Sequence, residues 1–456
     1  MAECPGIYKL SEMKDGLLAR LRIPGGTLSS DQARCLAVAA KNFGNGTIDI
    51  TNRANLQLRG MKPNKQTKLI DYLQKHKLAP DDQEYDRLRN ITIDPLSGLV
   101  EEKVDCRPLA KELEQRLKTL KSPEQFSPKL SIIIDGGGPT NISALPHDFA
   151  FKATMTVPAT SKNQSQIEDL YFRFILCGRS TELLIERDHL VSTVLQFLEN
   201  LREGSEQKGQ GSAGKKTAHI DQLREDQSKN IRPKTLLNNL SHAELTKLLL
   251  KDISTIRKQA KSNSKKEPAE QKLNRPEYIT QQKSDEFFVV NLVSPTSRLQ
   301  YYQLQGLAEL ADEFGRGELR LTSWQAMMLP YIKEKNLDKL WERSEAMALL
   351  TQQSEQNLQI ISCIGSEGCI YGNFETRLNS LNIRESLTDL VSLNPVSIHL
   401  SACEKGCATR QKTDYLIMQK RGSDQLTLHL NAAPTTKKPG KPIQQDQIIK
   451  ELKKLI

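Results

Sequence analysis

The feature that most constrains the fold is an internal repeat. Residues 20–61, RLRIPGGTLSSDQARCLAVAAKNFGNGTIDITNRANLQLRGM, align without a gap on residues 291–332, NLVSPTSRLQYYQLQGLAELADEFGRGELRLTSWQAMMLPYI, at a constant offset of 271. Leu21/Leu292, Pro24/Pro295, Leu28/Leu299, Gln32/Gln303, Leu36/Leu307, Phe43/Phe314, Gly44/Gly315, Gly46/Gly317 and Thr51/Thr322 coincide. Chance is a poor explanation for so many gap-free matches. Each copy reads as strand, turn, amphipathic helix, a Gly-x-Gly helix exit and a strand. A small α+β unit used twice commonly builds a pseudo-two-fold body, one half keeping a binding function while the other becomes scaffold.

The two copies differ in charge. Arg53, Asn55, Gln57 and Arg59 alternate with apolar or small residues, so a strand here would place all four on one face. The second copy has Trp324, Ala326, Met328 and Pro330 at the equivalent positions. The arginine fork suits bidentate anion recognition, so the expectation is an anion-binding face in the first copy. An exposed strand edge is the alternative.

At 456 residues the chain has room for two or three domains. Its net charge of +10 suggests nucleic acid until the charge is located. Residues 203–275 hold 16 Lys and Arg against nine Asp and Glu and have no aromatic residue on which a base could stack. That composition, rich in Lys, Gln, Ser and Gly, predicts a mostly mobile, solvated linker rather than a nucleic-acid groove. Inside it LSHAELTKLLLKDI opens on a capping box, Ser241-x-x-Glu244, with Leu245, Leu248, Leu249 and Ile253 at helical spacing, which predicts one short docked helix. The N-terminal MAECPGIYKLSEMKDGLL lacks a signal-peptide pattern, and no apolar run reaches membrane-spanning length. The expectation is a cytoplasmic protein with neither nucleic acid nor membrane as partner.

Eight cysteines are too sparse for a disulfide scaffold. Four of them form two pairs, Cys363 and Cys369 in C-x5-C and Cys403 and Cys407 in C-x3-C, with 33 residues between the pairs. Each pair follows an apolar run, NLQII or VSIHL, and so begins where a strand ends. A helix turn starting at Cys403 would set Cys403 and Cys407 on one face and favour their thiolates. Three readings compete. Zinc sites usually use spacings of two to four residues, a disulfide is disfavoured in the cytosol, and four thiolates from two short loops suit a [4Fe–4S] cluster. Cys4, Cys35, Cys106 and Cys177 read as packing or surface residues.

TNRANLQLRG, the duplicated unit, and C-x5-C followed by C-x3-C together resemble the sulfite and nitrite reductase superfamily, and within it most closely the precorrin-3B synthases. The resemblance covers nearly the whole chain outside the linker. It implies an α+β fold: duplicated ferredoxin-like half-domains forming a pseudo-two-fold body, with two sulfite reductase-like α/β modules holding a cluster and a tetrapyrrole. The expected boundaries are 1–75 and 276–345 for the half-domains, 76–202 for the tetrapyrrole-binding module and 346–435 for the cluster module. Residues 203–275 are the linker and 436–456 a C-terminal tail.

By the same resemblance, Cys363, Cys369, Cys403 and Cys407 ligate a [4Fe–4S] cluster and Arg53 lines the tetrapyrrole pocket. Arg89, in RLRNITIDP, falls at a second active-site arginine, and Lys129, in SPKLSI, at the first of two active-site lysines. The second lysine of that K-x-K pattern is Ser131 here, which argues against reduction of a small anion. The implied activity is oxygen-dependent hydroxylation of precorrin-3A at C20, with an acetate closing a γ-lactone. A non-haem iron would activate dioxygen, and an NADH-linked or ferredoxin donor would supply electrons. His147, Asp148 and His399 do not make a complete two-His-one-carboxylate set. DGGGPTNISALPHD, residues 135–148, reads either as a close approach to a ring edge or as a tight connecting loop. Two rival readings are a ferredoxin-dependent sulfite or nitrite reductase with sirohaem bridged to the cluster through Cys407, and a non-catalytic tetrapyrrole-binding protein.

Overall fold

The computed structural model describes residues 4–156, 169–210, 230–258, 273–350, 357–391, 395–436 and 438–456. They fall into two compact units, one within residues 1–21, 27–79 and 277–456, the other within 22–26 and 80–276.

In the first unit a hairpin of β1 (Ser11–Met13) and β2 (Gly16–Leu21) leads to the short β3 (Thr27–Ser29) and helix α1 (Ser30–Phe43). Ser29 caps α1 reciprocally with Gln32, and Ala33, Leu36, Ala37 and Ala40 form its buried stripe. β4 (Thr47–Ile50) and β5 (Leu56–Met61) follow, then helix α2 (Gln66–Lys75), anchored by buried Leu69 and Leu73.

The second unit is built on a six-stranded sheet. Its elements are β6 (Ile91–Ile93), α3 (Arg107–Leu117), β7 (Ile132–Asp135), β8 (Phe149–Thr156), β9 (Asp169–Leu176), β10 (Arg179–Glu186), α4 (Leu190–Gln210), α5 (His242–Leu249) and β11 (Arg257–Lys258), with sheet order β11-β10-β9-β8-β7-β6. β6, β7 and β8 run parallel, and their isoleucines and phenylalanines suit a sheet covered on its faces. Leu109 and Leu113 of α3, Phe149, Phe151 and Phe174 of the sheet and Phe197 of α4 share one core. The predicted capping box forms at the start of α5, and Leu245 and Leu249 join that core.

Residues 230–258 are therefore a packed part of this unit, which corrects the expectation of a solvated linker across that stretch. The physical reason is specific anchoring. Arg232 makes a bidentate pair with buried Asp148 (2.9 and 2.8 Å), and the Asn200 amide donates to the carbonyls of Leu249 and Lys251 (both 2.8 Å). Helix α4 also runs through the expected boundary at 202. The remaining parts of the predicted linker, 211–229 and 259–272, lie outside the described residues.

The second copy of the repeat returns to the first unit: β12 (Ile279–Gln281), β13 (Phe287–Val293), β14 (Arg298–Gln300), α6 (Tyr301–Phe314), β15 (Glu318–Leu321), β16 (Ala326–Lys333) and α7 (Leu337–Ala346). Four strands or helices, β14, α6, β15 and α7, reproduce β3, α1, β4 and α2 at the offset of 271. So do five left-handed backbone positions: Gly26/Ser297, Gly46/Gly317, Ala54/Gln325, Gly60/Tyr331 and Lys77/Ala348. The sheets run β1-β2-β5-β4-β14 and β12-β13-β16-β15-β3, so each copy lends its short strand to the other's sheet. That reciprocal exchange fuses the halves into a pseudo-two-fold body. Trp324, Ala326 and Met328 are buried in the second copy, the scaffold half.

The cluster module completes this unit with β17 (Leu358–Ser362), α8 (Thr376–Leu387), β18 (Val396–Ser401), β19 (Thr413–Gln419), β20 (Leu426–Ala432), β21 (Lys441–Ile443) and α9 (Ile448–Leu455), the strands ordered as in sequence. The residues expected as a tail are not one. β21 is the fifth strand, and Ile448 and Leu452 of α9 enter the core with Ile383, Leu387, Ile398 and Leu400. Among the described residues no helix is long and apolar enough to cross a membrane. Truncating Leu452 to alanine should lower unfolding stability by about 2–5 kcal/mol. Denaturant titration checks this, and an unchanged midpoint would mean that α9 does not hold the module together.

Candidate functional site

β17, β18 and β19 are parallel, so their carboxyl ends share one edge of the sheet, the usual place for a binding site in such sheets. Cys363 follows β17 and Cys403 lies just past β18. The Cys363 amide donates to the Leu400 carbonyl (3.1 Å), which draws the first loop against the neighbouring strand. The sulfurs are met by main-chain donors: Ala402 N–H reaches Cys363 Sγ (3.2 Å), Tyr371 N–H reaches Cys369 Sγ (3.4 Å), and Lys405 N–H bonds to Cys403.

No helix starts at Cys403; the stretch to Cys407 is an irregular loop. Gly406 sits there at φ 58°, a left-handed conformation incompatible with a continuing helix. The expected lowering of thiol pKa by a helix terminus is therefore absent. Burial pushes Cys363 and Cys403 up instead. Cys407, whose surface is exposed to solvent, is raised to about 11 by the partial desolvation of its surroundings and then by the neighbouring Cys363, Cys403 and Cys369. The four thiols are thus gathered in one place; Cys363, Cys403 and Cys407 resist ionising alone, and main-chain N–H groups reach the sulfurs of Cys363, Cys369 and Cys403.

Such a donor set fits a polycationic core that displaces the protons. Among the described residues no three His, Cys, Asp or Glu side chains close up as ligands of one metal ion. Tetrahedral zinc, with Zn–S near ~2.3 Å, would hold its sulfurs within about 4 Å of one another. The ligands of an iron–sulfur core stand further apart, at its corners. The other four cysteines are also free thiols, and Cys35 lies beside Nδ1 of His76 (3.1 Å).

The polar stretch of the first copy reaches this loop. Arg53 lies in the turn before β5, not on the strand, and is half-buried; Ala54 beside it is left-handed (φ 53°). Thr51 Oγ1 shapes the turn by accepting the Arg53 and Asn55 amides (3.3 and 3.1 Å). From that turn the Asn52 side chain donates to the Cys407 carbonyl (3.2 Å), so TNRAN and the second cysteine pair, 355 residues apart, meet. Asn55 is buried, and Gln57 is half-buried opposite Asp49.

Arg59 corrects the expected face. It is 2% exposed, and its guanidinium holds Asp15 through Nε and Nη2 (both 2.7 Å) and Asp49 through Nη1 (3.3 Å). The anion it binds is the protein's own. Sequence alone could not reveal this, because Asp15 is 44 residues away. Asp49 is also met by Arg298 Nε of β14 and Arg377 Nη2 of α8 (both 2.9 Å). Burial alone would raise the Asp49 pKa, but Arg377, Arg298 and Arg59 outweigh it and hold the carboxyl well below the usual range.

In the second unit Arg89 is buried and paired with Glu114 (2.9 Å) and Asp86 (3.5 Å), while Lys129 is exposed. Ser131 is buried, and its N–H and hydroxyl donate to Asp148 (3.0 and 3.2 Å). His147 has both ring nitrogens engaged, Nδ1 with the Leu145 carbonyl (2.7 Å) and Nε2 accepting the Gly178 N–H (3.2 Å). No lone pair is left there for a metal. In the glycine-rich loop Asp135 accepts the Gly137 and Ser143 amides (both 2.9 Å), and a side chain at Gly136 would overlap the Val104 carbonyl, as a tight connecting loop requires. His399 of β18, in the first unit, is fully buried and neutral. Both its nitrogens lack hydrogen-bond partners among the described residues, and burial lowers its pKa to about 4.

The family described as nitrite/sulfite reductase ferredoxin-like half domain matches at residues 11–76 and again at 279–347, the two copies of the repeat. Both halves of the repeat are therefore similar to the half-domain of the nitrite and sulfite reductases. Over its length the chain is 29% identical over 439 residues to the ferredoxin–nitrite reductase of Synechococcus elongatus, covering 91% of this chain and 78% of that protein. The chloroplastic ferredoxin–nitrite reductase of Spinacia oleracea is 26% identical, with 87% of this chain and 65% of that protein covered. A precorrin-3B synthase of Sinorhizobium sp. is 23% identical, with 91% and 80% covered. The solved structure of the Mycobacterium tuberculosis NirA protein superposes with a TM-score of 0.66 at 17% identity, over 96% of this chain and 79% of that one, which establishes the shared fold.

Replacing Asp49 with asparagine leaves buried Arg59 and Arg377 and half-buried Arg298 without their shared carboxylate and should cost about 3–5 kcal/mol at neutral pH. Because the folded pKa is depressed, the carboxylate's contribution is complete above its unfolded value, about 3.9, and is lost as pH falls toward the folded one. The stability gap between wild type and Asp49→Asn, followed by denaturant titration, should therefore hold steady at neutral pH and narrow below about pH 4. A gap absent at neutral pH would contradict the assignment.

Proposed function

We propose that this chain acts as an oxidoreductase on a polycarboxylate tetrapyrrole, hydroxylating precorrin-3A at C20 with dioxygen while an acetate side chain closes a γ-lactone. The observation that carries the reading is Ser131. Where the superfamily's anion reductases are expected to place the second lysine of a K-x-K pattern, this chain has a buried serine whose N–H and O–H are both given to Asp148. A small anion that loses oxygen needs cations to hold it and support proton delivery, and this position supplies none. A tetrapyrrole brings many carboxylates, and each one met by Arg or Lys gains about 1.5–3 kcal/mol.

In this reading Cys363, Cys369, Cys403 and Cys407 hold a [4Fe–4S] cluster, which when bound supplies one-electron transfer, and a separate non-haem iron serves oxygen activation. Arg53, Asn55 and Gln57 orient substrate carboxylates from the first copy, and Lys129 adds a further cation. Arg89 contributes by sharing a guanidinium already paired with Glu114. Electrons come from an NADH-linked or ferredoxin donor.

A second reading, ferredoxin-dependent nitrite reduction with sirohaem joined to the cluster through Cys407, is favoured by the 29% identity to the cyanobacterial enzyme. A non-catalytic tetrapyrrole carrier is disfavoured by the complete cysteine quartet. Acid–acetone extraction of anaerobically purified protein, followed by assay with precorrin-3A and dioxygen, separates them. The expected outcome is an iron–sulfur absorption shoulder, no stoichiometric sirohaem and oxygen-dependent consumption of precorrin-3A. Stoichiometric sirohaem with nitrite turnover would overturn the proposal in favour of the second reading.

A further inference from the structure

The loop carrying Cys363 and Cys369 belongs by sequence to the cluster module, yet much of what holds it comes from the first half-domain. Lys14 and Asp15 form the tip of the β1–β2 hairpin. The Lys14 amide donates to the Gly368 carbonyl (3.1 Å), and its ammonium donates to the Gly372 carbonyl (3.2 Å) and to Asn373 Oδ1 (3.0 Å). Asp15 and Arg59 make their bidentate pair directly beneath the loop. A Cβ at Gly368 would overlap Arg59 Nη2 and come within 3.0 Å of Asp15 Oδ1 and 2.7 Å of Ile364 Cδ1. Gly368 has φ −149°, so space rather than backbone conformation excludes a side chain there. Its neighbour Glu367 is held by Arg298 Nη1 (2.9 Å) and Arg377 Nη1 (3.7 Å), both of which also hold Asp49.

The duplicate supplies an internal control. At the offset of 271, Lys14, Asp15 and Arg59 become Asp285, Glu286 and Pro330. Pro330 cannot pair with Glu286, which is held instead by Lys333. Only the first copy has kept the carboxylate–guanidinium platform, and it is the copy whose hairpin tip grips the cysteine loop.

We infer that Asp15, Arg59 and Gly368 are positioning residues for the cluster: the first half-domain sets where Cys363 and Cys369 stand, through an ion pair on which the loop backbone lies flush. The inference rests on the cluster reading above. Groups that orient metal ligands without touching the metal typically change metal affinity by about 10–100-fold when altered.

The test compares full-length wild type, Gly368→Ala, Asp15→Asn, Arg59→Ala and the double variant Gly368→Ala/Arg59→Ala after anaerobic reconstitution with iron and sulfide. Three quantities are read: iron release to a chelator, the electron paramagnetic resonance line shape of the reduced protein, and the thermal midpoint before reconstitution. Gly368→Ala and Asp15→Asn should release iron at least about tenfold faster, with an altered line shape, while their secondary structure stays intact. Since the tightest contact at position 368 is with Arg59, adding Gly368→Ala to Arg59→Ala should cost less than adding it to the wild type, with the contact to Ile364 remaining, a non-additivity that a general loss of stability does not produce. Wild-type retention and line shape in Gly368→Ala and Asp15→Asn would overturn the positioning role and leave the cluster reading standing. If Gly368→Ala fails to fold, Asp15→Asn, which adds no atom to the loop, decides alone. A wild-type chain that takes up no iron and sulfide would remove the cluster reading itself, and the inference with it.

Discussion

A single buried carboxylate ties the first unit together. Asp49 stands on β4 of the first sheet, between β5 and β14, and receives Arg59 from β5, Arg298 from the strand lent by the second copy, and Arg377 from the helix of the cluster module. Burying one carboxylate is costly, and three cations around it would overcompensate if they were its only partners. Asp15 on Arg59 and Glu367 on Arg298 and Arg377 bring the group to three carboxylates against three guanidinium groups. The balance is local and it links both copies of the repeat to the cysteine loop. Neither the exchanged strand β14 nor helix α8 could shift without leaving a buried charge unpaired.

Much of the architecture was legible in the sequence because its signals are periodic or local. The offset of 271 anticipated two equivalent half-domains, and helices α1 and α6 begin and end in register with it. The apolar runs before Cys363 and Cys403 became adjacent parallel strands, and the capping box at Ser241 formed as written. What could not be read is non-local. The alternation of Arg53, Asn55, Gln57 and Arg59 suggested one binding face, yet Arg53 sits in a turn fixed by Thr51 while Arg59 faces two aspartates. Nothing in residues 53–59 announces that Asp15 and Asp49 converge on Arg59. The same limit hid the docking of residues 230–258, which depends on Arg232 reaching Asp148 across 84 residues. The segment after 435 looked like a tail because a three-residue strand and an eight-residue helix carry little periodic signal by themselves.

The disposition of charge also bears on chemistry. Several cations that a sequence comparison would assign to a substrate are engaged by carboxylates of the chain itself, Arg59 and Arg89 among them. Ser131, at the position where an anion reductase would be expected to present a lysine, is built into a buried network with Asp148 and Arg232. The donor set at the cysteine loops, by contrast, is complete: four thiols gathered at one sheet edge, three of them met by main-chain N–H groups.

The central claim is that Cys363, Cys369, Cys403 and Cys407 together hold an iron–sulfur cluster. The most direct test is the content of iron, acid-labile sulfide and zinc per chain in anaerobically purified protein, measured beside Cys403→Ser. The account predicts about four sulfide with about four to five iron in the wild type, the fifth being the separate non-haem iron, negligible zinc, and loss of the sulfide and of about four iron in the variant. One zinc without sulfide, or an undiminished cluster in Cys403→Ser, would contradict it.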